Sequence, residues 1–366
     1  MDSTTAFCPN WDCPARGQSR QGNIGIHSQK EQRFICKVCR QTFSTTKGTV
    51  FYRLRHSAET VVLVVTLLAY GCPVQAIVKA FGLDERTVAN WWLRAGQQSQ
   101  AVHEHQVERP IDLGQVQADE IRVKKQNGIV WMALAMQVKT RLWLGGEVSK
   151  HRDMTLIRAL MARVRRCALR RPILICTDGL KAYIRATCET FRDPRPTGKG
   201  GRPRLRAWQN ILIAQVIKRS ERGRVVKIER CVIDGTEARV ETLRRRSQGE
   251  GVINTAYIER LNATFRQRLA PLARRRCRSL ARRTCTLTNG MYVVGSVYNF
   301  CSPHLSLHSG QQITPAMAAG ITDHCWSRRE LLAFKVPPPQ WKPPKRRGRP
   351  SQALQGLIER WCGDHD

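Results

Sequence analysis

The spacing of apolar positions changes partway along the chain. In "SAETVVLVVTLLAYGCPVQAIVKAFGLDERTVANWWLRAG", Ser57 to Gly96, they recur at helical spacing. Ser57 with Thr60 starts an apolar helix, Gly71 and Cys72 break it, and Pro73 suits the first turn of a second. Gly82 supplies a turn, Asp84 an N-cap, and a third helix runs through Trp91 and Trp92. A hinge follows in "VERPIDLG", Val107 to Gly114. Beyond it the period drops to two: "GQVQADEIRV", "GIVWMALAMQV" and "RLWLGGEVS" predict three successive strands. "MTLIRALMARVRRCAL" predicts an amphipathic helix, and "RPILICTDGLKAY" a buried strand over Ile173 to Cys176, then a turn and a new helix.

Three antiparallel strands, a crossover helix and a strand beside the first are the plan of an RNase H-like α/β layer, a mixed sheet flanked by helices. Residues from about 193 to 252 interrupt that plan with "DPRPTGKGGRPRLR", a β-hairpin ("NILIAQVIKRSERGRVVKIERCVIDG") and the Arg-rich "TLRRRSQGEG". A helix in "NTAYIERLNATFRQRL" follows, then a compact closure in "GSVYNFCSPHLSL" and "TPAMAAGI". The tail "KVPPPQWKPPKRRGRPSQ" is Pro-rich and basic, which predicts an extended segment outside the core, with a last short helix over Ser351 to Cys362. The expected divisions are 1–52, 53–106, 107–332 and 333–366.

Charge narrows the partners. Lys and Arg number 62 against 28 acids, a formal net charge of +34. Self-repulsion at that level opposes compaction unless a polyanion screens it, and an excess that is mostly Arg matches phosphate geometry. Double-stranded DNA is the expected partner. The longest apolar run, Val61 to Gly71, is shorter than the roughly 20 residues that a bilayer requires, and Met1 to Ala6 is too polar for a signal peptide. No membrane role is expected. Ten of the 14 cysteines are scattered, as reduced thiols of a cytosolic protein are.

The other four are patterned. Cys8 and Cys13 in "CPNWDC", with Cys36 and Cys39 in "CKVC", form two knuckles that can surround one tetrahedral Zn²⁺ at about 2.3 Å per bond. So short a segment has little core without a metal. The three helices after it have helix-turn-helix spacing, in which Arg86, Thr87, Asn90 and Arg94 lie on the exposed side of the last helix and face a major groove. Gly-Arg-Pro flanked by bases occurs twice, around Arg202 and Arg349. This is the core of an AT-hook, whose arginines enter a narrow A·T minor groove.

Three acids stand out in so basic a chain. Asp119 lies on the first strand, Asp178 at the end of the fourth, and Glu259 in the first turns of a helix. Neighbouring first and fourth strands would set the two aspartates side by side, with Glu259 packed over them. Carboxylates so placed repel strongly, and two divalent cations, Mg²⁺ or Mn²⁺, about 4 Å apart would remove that penalty and serve in-line phosphoryl transfer. Glu120 competes with Asp119, and Asp234 in "CVIDG" competes with Asp178.

Taken together, the cysteine knuckles, the helix-turn-helix, "VQADE", "TDGLKAY" and "YIERLNATFRQRL" resemble a bacterial insertion-sequence transposase of the DDE class, from about Cys8 to Leu332. The resemblance favours Asp178 over Asp234. It implies that Asp119 bridges two ions while Asp178 and Glu259 each hold one. Arg266, seven residues after Glu259, would contact DNA, with Asn262 beside it; seven residues turn a helix through about 700°, so all three share a face. It further implies recognition of terminal inverted repeats, strand cleavage, strand transfer, a homodimer or higher oligomer on DNA, and residence in the bacterial nucleoid.

Overall fold

The helical and alternating stretches form the elements their periods predict, in two units that are best described separately. The computed structural model describes residues 1–125, 128–195, 203–222, 224–272, 283–307, 312–343 and 348–362. Arg202, the bases 274–276 and most of the basic run before Arg349 lie outside these. One unit comprises Met1–Ala58 with Leu332–Asp366, the other Glu59–Leu331. Among the described residues no helix is long and apolar enough to cross a membrane.

The first unit is an antiparallel meander of β1 (Ile24–Ser28), β2 (Arg33–Cys36) and β3 (Thr42–Ser44). Its core consists of Cys8, Cys13, Cys36, Ala6, Ala15, Ile24, Phe34, Phe43 and, unexpectedly, Trp361. The tail, expected to run outside the core, folds back onto the meander instead. Arg16 donates to the carbonyls of Pro339 at 2.7 Å and Gln340 at 2.9 Å while its guanidinium sits 4.5 Å from the Trp11 ring centre. The helix Gln352–Cys362 then lays Leu357 and Trp361, one turn apart, against the cysteines. The physical reason is size: three strands of three to five residues have too little apolar surface of their own.

The second unit begins with α1 (Ala58–Ala69), α2 (Val74–Phe81) and α3 (Glu85–Gln106). Gly82 closes α2 in the left-handed region at φ 61°, and Asp84 caps α3 by accepting from the amides of Arg86 and Thr87. At 22 residues, α3 does two jobs: Arg86, Ala89 and Asn90 near its start are exposed, whereas Val88, Trp91, Ala95, Gly96, Ser99, Val102 and His103 are buried.

A six-stranded mixed sheet follows, made of β4 (Gln115–Lys125), β5 (Gly128–Gln137), β6 (Trp143–Ser149), β7 (Ile173–Thr177), β10 (Ile211–Glu221) and β11 (Arg224–Asp234). Its order is β11-β10-β7-β4-β5-β6. β4, β5 and β6 are antiparallel, β7 and β10 run parallel to β4, and β11 is antiparallel to β10. The hairpin read as part of an insertion is therefore half sheet: β10 takes the place beside β7 because Ile211 to Val216 is buried on both faces, as a central parallel strand requires. Among the described strands of this unit, the ribbon of β8 (Arg192–Arg195) and β9 (Arg204–Ala207) stands outside the main sheet.

Helices flank the sheet. Between the strands come α4 (Met154–Arg166) and α5 (Ala182–Thr190), and after them α6 (Glu237–Gln248), α7 (Ala256–Arg268) and α8 (Thr284–Ser296). Ile121 and Val123 of β4 pack with Ile258, Leu261 and Phe265 of α7 and with Leu287 and Met291 of α8. Leu174, Cys176, Leu212 and Ala214 pack with Val240 and Leu243 of α6. At the far edge Asn299 imitates a strand, accepting from the amide of Trp143 at 2.9 Å and donating to its carbonyl at 2.8 Å.

Truncating Trp361, which is 7% exposed, to alanine should cost the first unit about 3–5 kcal/mol. Hydrogen exchange in β1 to β3 should accelerate accordingly while exchange in β4 and β7 stays unchanged; unaltered exchange in the meander would refute tail packing.

Candidate functional site

Strand register brings the acids together. β4 and β7 are paired in parallel through Ala118 and Thr177, so the next step along both strands sets Asp119 beside Asp178. Above them lies α7, whose Ile258, Leu261 and Phe265 face the core while Glu259 and Arg266 look into the opening. Asp119, Asp178, Glu259, Asn262 and Arg266, together with Arg152 and Lys218, line one cleft of about 720 Å³. Asp234 does not: it pairs with Ile213, level with Ile175 and three strands from β4, at the end of β11 away from the cleft.

Each acid is held by a particular partner. Asn262, 1% exposed, donates from Nδ2 to Asp119 Oδ2 at 2.8 Å, and its own Oδ1 is buried without a partner. Arg152 donates from Nε to Glu120 Oε2 at 2.7 Å and from its terminal nitrogen to Asp178 Oδ2 at 3.1 Å. Thr255 donates to Glu259 Oε1 at 2.7 Å, and Lys218 forms an ion pair with the same oxygen. Burial, then the charges of Asp178 and Glu259, raise the pKa of Asp119. For Glu259 burial acts upward too, but Lys218 and Thr255 outweigh it and the net shift is downward.

Glu120 enters the site by a different route. It is buried on the other side of β4, where burial raises its pKa, yet its carboxylate lies within 4.8 Å of those of Asp119 and Asp178. The hard-oxygen donor set, the orphaned amide oxygen of Asn262 and the mutual repulsion of the acids all suit a divalent cation.

Two glutamines set the frame, and neither stands out in the sequence. Gln117, fully buried, accepts from the amide of Ile258 at 3.0 Å and donates to the carbonyl of Asn254 at 2.6 Å, pinning the start of α7 two residues from Asp119. Gln215 donates to the carbonyls of Asp178 at 2.8 Å and Leu180 at 3.3 Å, fixing the loop after β7. The legible signal is a glutamine inside an otherwise apolar strand, which must find partners when buried. Arg152 and Lys218 offer no such signal in so basic a chain.

In the first unit the sulfurs of Cys8, Cys13, Cys36 and Cys39 all lie within 4.8 Å of one another, with Cys8 to Cys39 and Cys13 to Cys36 each 3.7 Å apart. Burial raises the thiols of Cys8 and Cys13, the latter to about 12, an arrangement that a cation reverses by binding the thiolates. Of the residues expected to face DNA, Arg86 and Asn90 are exposed and Thr87 and Arg94 half-buried, all on the first turns of α3; Arg349 is exposed in the tail.

Comparison with protein-family models and with curated proteins finds no match for this chain. What the fold and site define is a mixed α/β protein with two metal-competent clusters, one of four cysteines and one of acids.

The raised pKa of Asp119 carries a sign. The folded protein binds this proton more tightly than the unfolded chain does, so ionisation costs stability above the raised value. With divalent ions chelated, Asp119→Asn should therefore unfold at higher denaturant than the parent at pH 7. The gap should close as pH falls below the unfolded value of about 3.9. A variant no more stable at pH 7 would contradict the repulsion described.

Proposed function

We propose that the protein is an insertion-sequence transposase of the DDE class, which binds the terminal inverted repeats of its element, cleaves DNA strands and joins the freed ends to a target. The observation that carries this reading is the convergence of Asp119, Asp178 and Glu259 on one cleft, with Asn262 and Arg266 beside Glu259 on the same helix. The strand order β6-β5-β4-β7-β10, three antiparallel strands followed by two parallel ones, supports an RNase H-like catalytic domain. The cleft is open and lined by bases, as an extended polyanion requires.

Mg²⁺ or Mn²⁺ held by Asp119 and Asp178, which with Glu120 form the carboxylates within 4.8 Å of one another, and by Glu259, which lines the same cleft but stands outside that group, would supply Lewis acidity and counter-charge for in-line phosphoryl transfer. The chain's own residues would do the rest. Asn262 fixes the rotamer of the Asp119 carboxylate, and Gln117 ties the helix that bears Glu259 to the strand that bears Asp119. Arg152, Lys218 and Arg266 would grip the phosphates on either side of the reacting one. In the first step water attacks a phosphodiester and a 3′-hydroxyl leaves. In the second that hydroxyl attacks a target phosphodiester and displaces another 3′-oxygen, so one bond forms for each that breaks.

For recognition, α2, the Gly82 turn and the capped start of α3 support a helix-turn-helix that places Arg86, Thr87, Asn90 and Arg94 in a major groove. Zn²⁺ fits the four cysteines: bonds of about 2.3 Å imply sulfurs about 3.8 Å apart in a tetrahedron, and two pairs stand at 3.7 Å. Arg349 would act in an AT-hook, adding minor-groove contacts.

Pre-cut element ends incubated with target DNA and Mn²⁺ should yield joined products. Asp119→Asn, Asp178→Asn and Glu259→Gln should each lose at least about a thousandfold in joining while still binding ends. Hydrolysis without joining would make the protein a nuclease; undiminished joining by the Asp178 variant would remove that residue from the site. Metal analysis of the purified chain should find one zinc per protein, and Cys36→Ser should lose it without loss of the helical signal of the second unit. A zinc-free parent would exclude the ribbon.

A further inference from the structure

Beside the far flank of α7, Arg141 and Arg268 are half-buried with no acid to answer them. At about 100° per residue, Glu259, Asn262 and Arg266 face the cleft, and Ile258, Leu261 and Phe265 face the core. Tyr257, Arg260 and Arg268 lie on the side beyond. Arg141, in the turn between β5 and β6, reaches this flank, its guanidinium 4.0 Å from the Tyr257 ring centre. That of Arg268 stands 4.5 Å from the Tyr70 ring centre. Tyr298, in the π-helical turn Val297–Cys301, lies near enough to feel the charges of Arg141, Arg260 and Arg268 together.

Buried cations are ordinarily paired, and elsewhere in this chain they are. Arg163 has Glu104, Glu108 and Glu147 around it, and Arg244 has Glu241. On this flank, among the described residues, Arg141, Arg260 and Arg268 form no ion pair. Burial lowers the pKa of Arg141 and Arg268, and the other groups acting on them are tyrosines and arginines. Arg141 donates to the carbonyl of Val138 and, at 3.3 Å, to Ser306 Oγ, which leaves its charge uncancelled. Arg268 has less, since its Nη1 is buried with no acceptor. The tyrosine rings supply cation–π attraction, which is weaker than the lost hydration of a guanidinium. The missing partner is an anion.

We propose that this flank is a second phosphate site, in which Arg141, Arg260 and Arg268 hold one phosphodiester of a DNA strand whose neighbouring stretch lies in the acidic cleft. The shape of α7 favours a strand over a free anion. Its outer ridge, between the two flanks, carries Ala256, Ala263 and Gln267, all exposed. Ala263 makes a low saddle between Arg266 and Arg260, where a strand leaving the cleft can cross a helix about 10 Å wide. The crossing rests on the transposase reading, which puts DNA in the cleft; the unanswered guanidinium groups do not.

A fluorescent oligothymidylate of about twelve nucleotides, titrated into the full-length protein with chelator present, tests this, because a helix-turn-helix reads duplex grooves and not a single strand. Arg260→Ala and Arg268→Met should each weaken binding about tenfold. The double variant should lower the slope of log Kd against log salt by about 0.7, one phosphate contact, where two separate phosphates would give about 1.4. Lys139→Ala, an exposed base at the other end of the sheet beside Gly114 and Pro172, should change neither. Without DNA, Arg268→Met should melt no lower than the parent, since it keeps an apolar stem over Tyr70 and removes an uncompensated charge. Inorganic phosphate should displace the strand only at concentrations far above the strand's own Kd. Parent-like binding by Arg260→Ala, an equal loss with Lys139→Ala, a markedly lower melting point for Arg268→Met, or phosphate that competes as tightly as the strand would each overturn the proposal. No readout needs a divalent ion or a joined product. A chain that binds the strand here but joins no DNA would reject the transposase reading alone, and a joining enzyme indifferent to Arg260 and Arg268 would reject this site alone.

Discussion

The parallel pairing of β4 with β7 is the constraint on which the site depends. It aligns Ala118 with Thr177, and everything chemical follows one step later, where Asp119 and Asp178 come level. A slip of one residue would turn Asp119 to the face of Tyr183 and α5 and bring Glu120 to the face of α7. The register is held by buried polar groups that a slip would strand: Gln117 would leave the amide of Ile258 and the carbonyl of Asn254, and Gln115 would leave Gln248. The core does not merely carry the site. It decides which carboxylates can meet.

Having met, they strain the structure electrostatically. Burial and repulsion raise Asp119, and no single cation resolves the cluster: Arg152 serves Glu120 and Asp178, Lys218 serves Glu259, and the neutral amide of Asn262 serves Asp119. These bridges are partly exposed, which makes them weak as stabilisers and easy to exchange. The deeper anchors are uncharged. Gln117 and Gln215, both buried, hold backbone on either side of the cleft, so the frame stays fixed while the charges within it rearrange.

Much of this was legible in the sequence, and the reasons for the misses are physical. Period two over Gln115 to Ser149 and the apolar Ile173 to Cys176 predict the strands of the sheet, and their order predicts which acids become neighbours. Period alone does not say whether a hairpin joins a sheet or stands apart, so β10 reads as part of an insertion although Ile211 to Val216 is nearly as apolar as β7. Nor does it reveal long-range pairing of a polar tail: Pro-rich composition argues for an extended chain, and Trp361 overrides it because the cysteine module lacks other apolar surface. Arg152 and Lys218 were invisible for a statistical reason, since in a chain with 62 bases a base carries little information.

The return of the tail to the cysteine module has a consequence for how the protein is made. Arg16 is bonded to Pro339 across 323 positions, and the core around Cys8 to Cys36 waits for Trp361. The ribosome delivers the four thiols about 300 residues before the residues that cover them. While those residues are made the module is unfinished, its cysteines open to oxidation or to the wrong metal. The α/β unit between, whose strands are close in sequence, can fold meanwhile. The cysteine module is completed only after the α/β unit that follows it has been made.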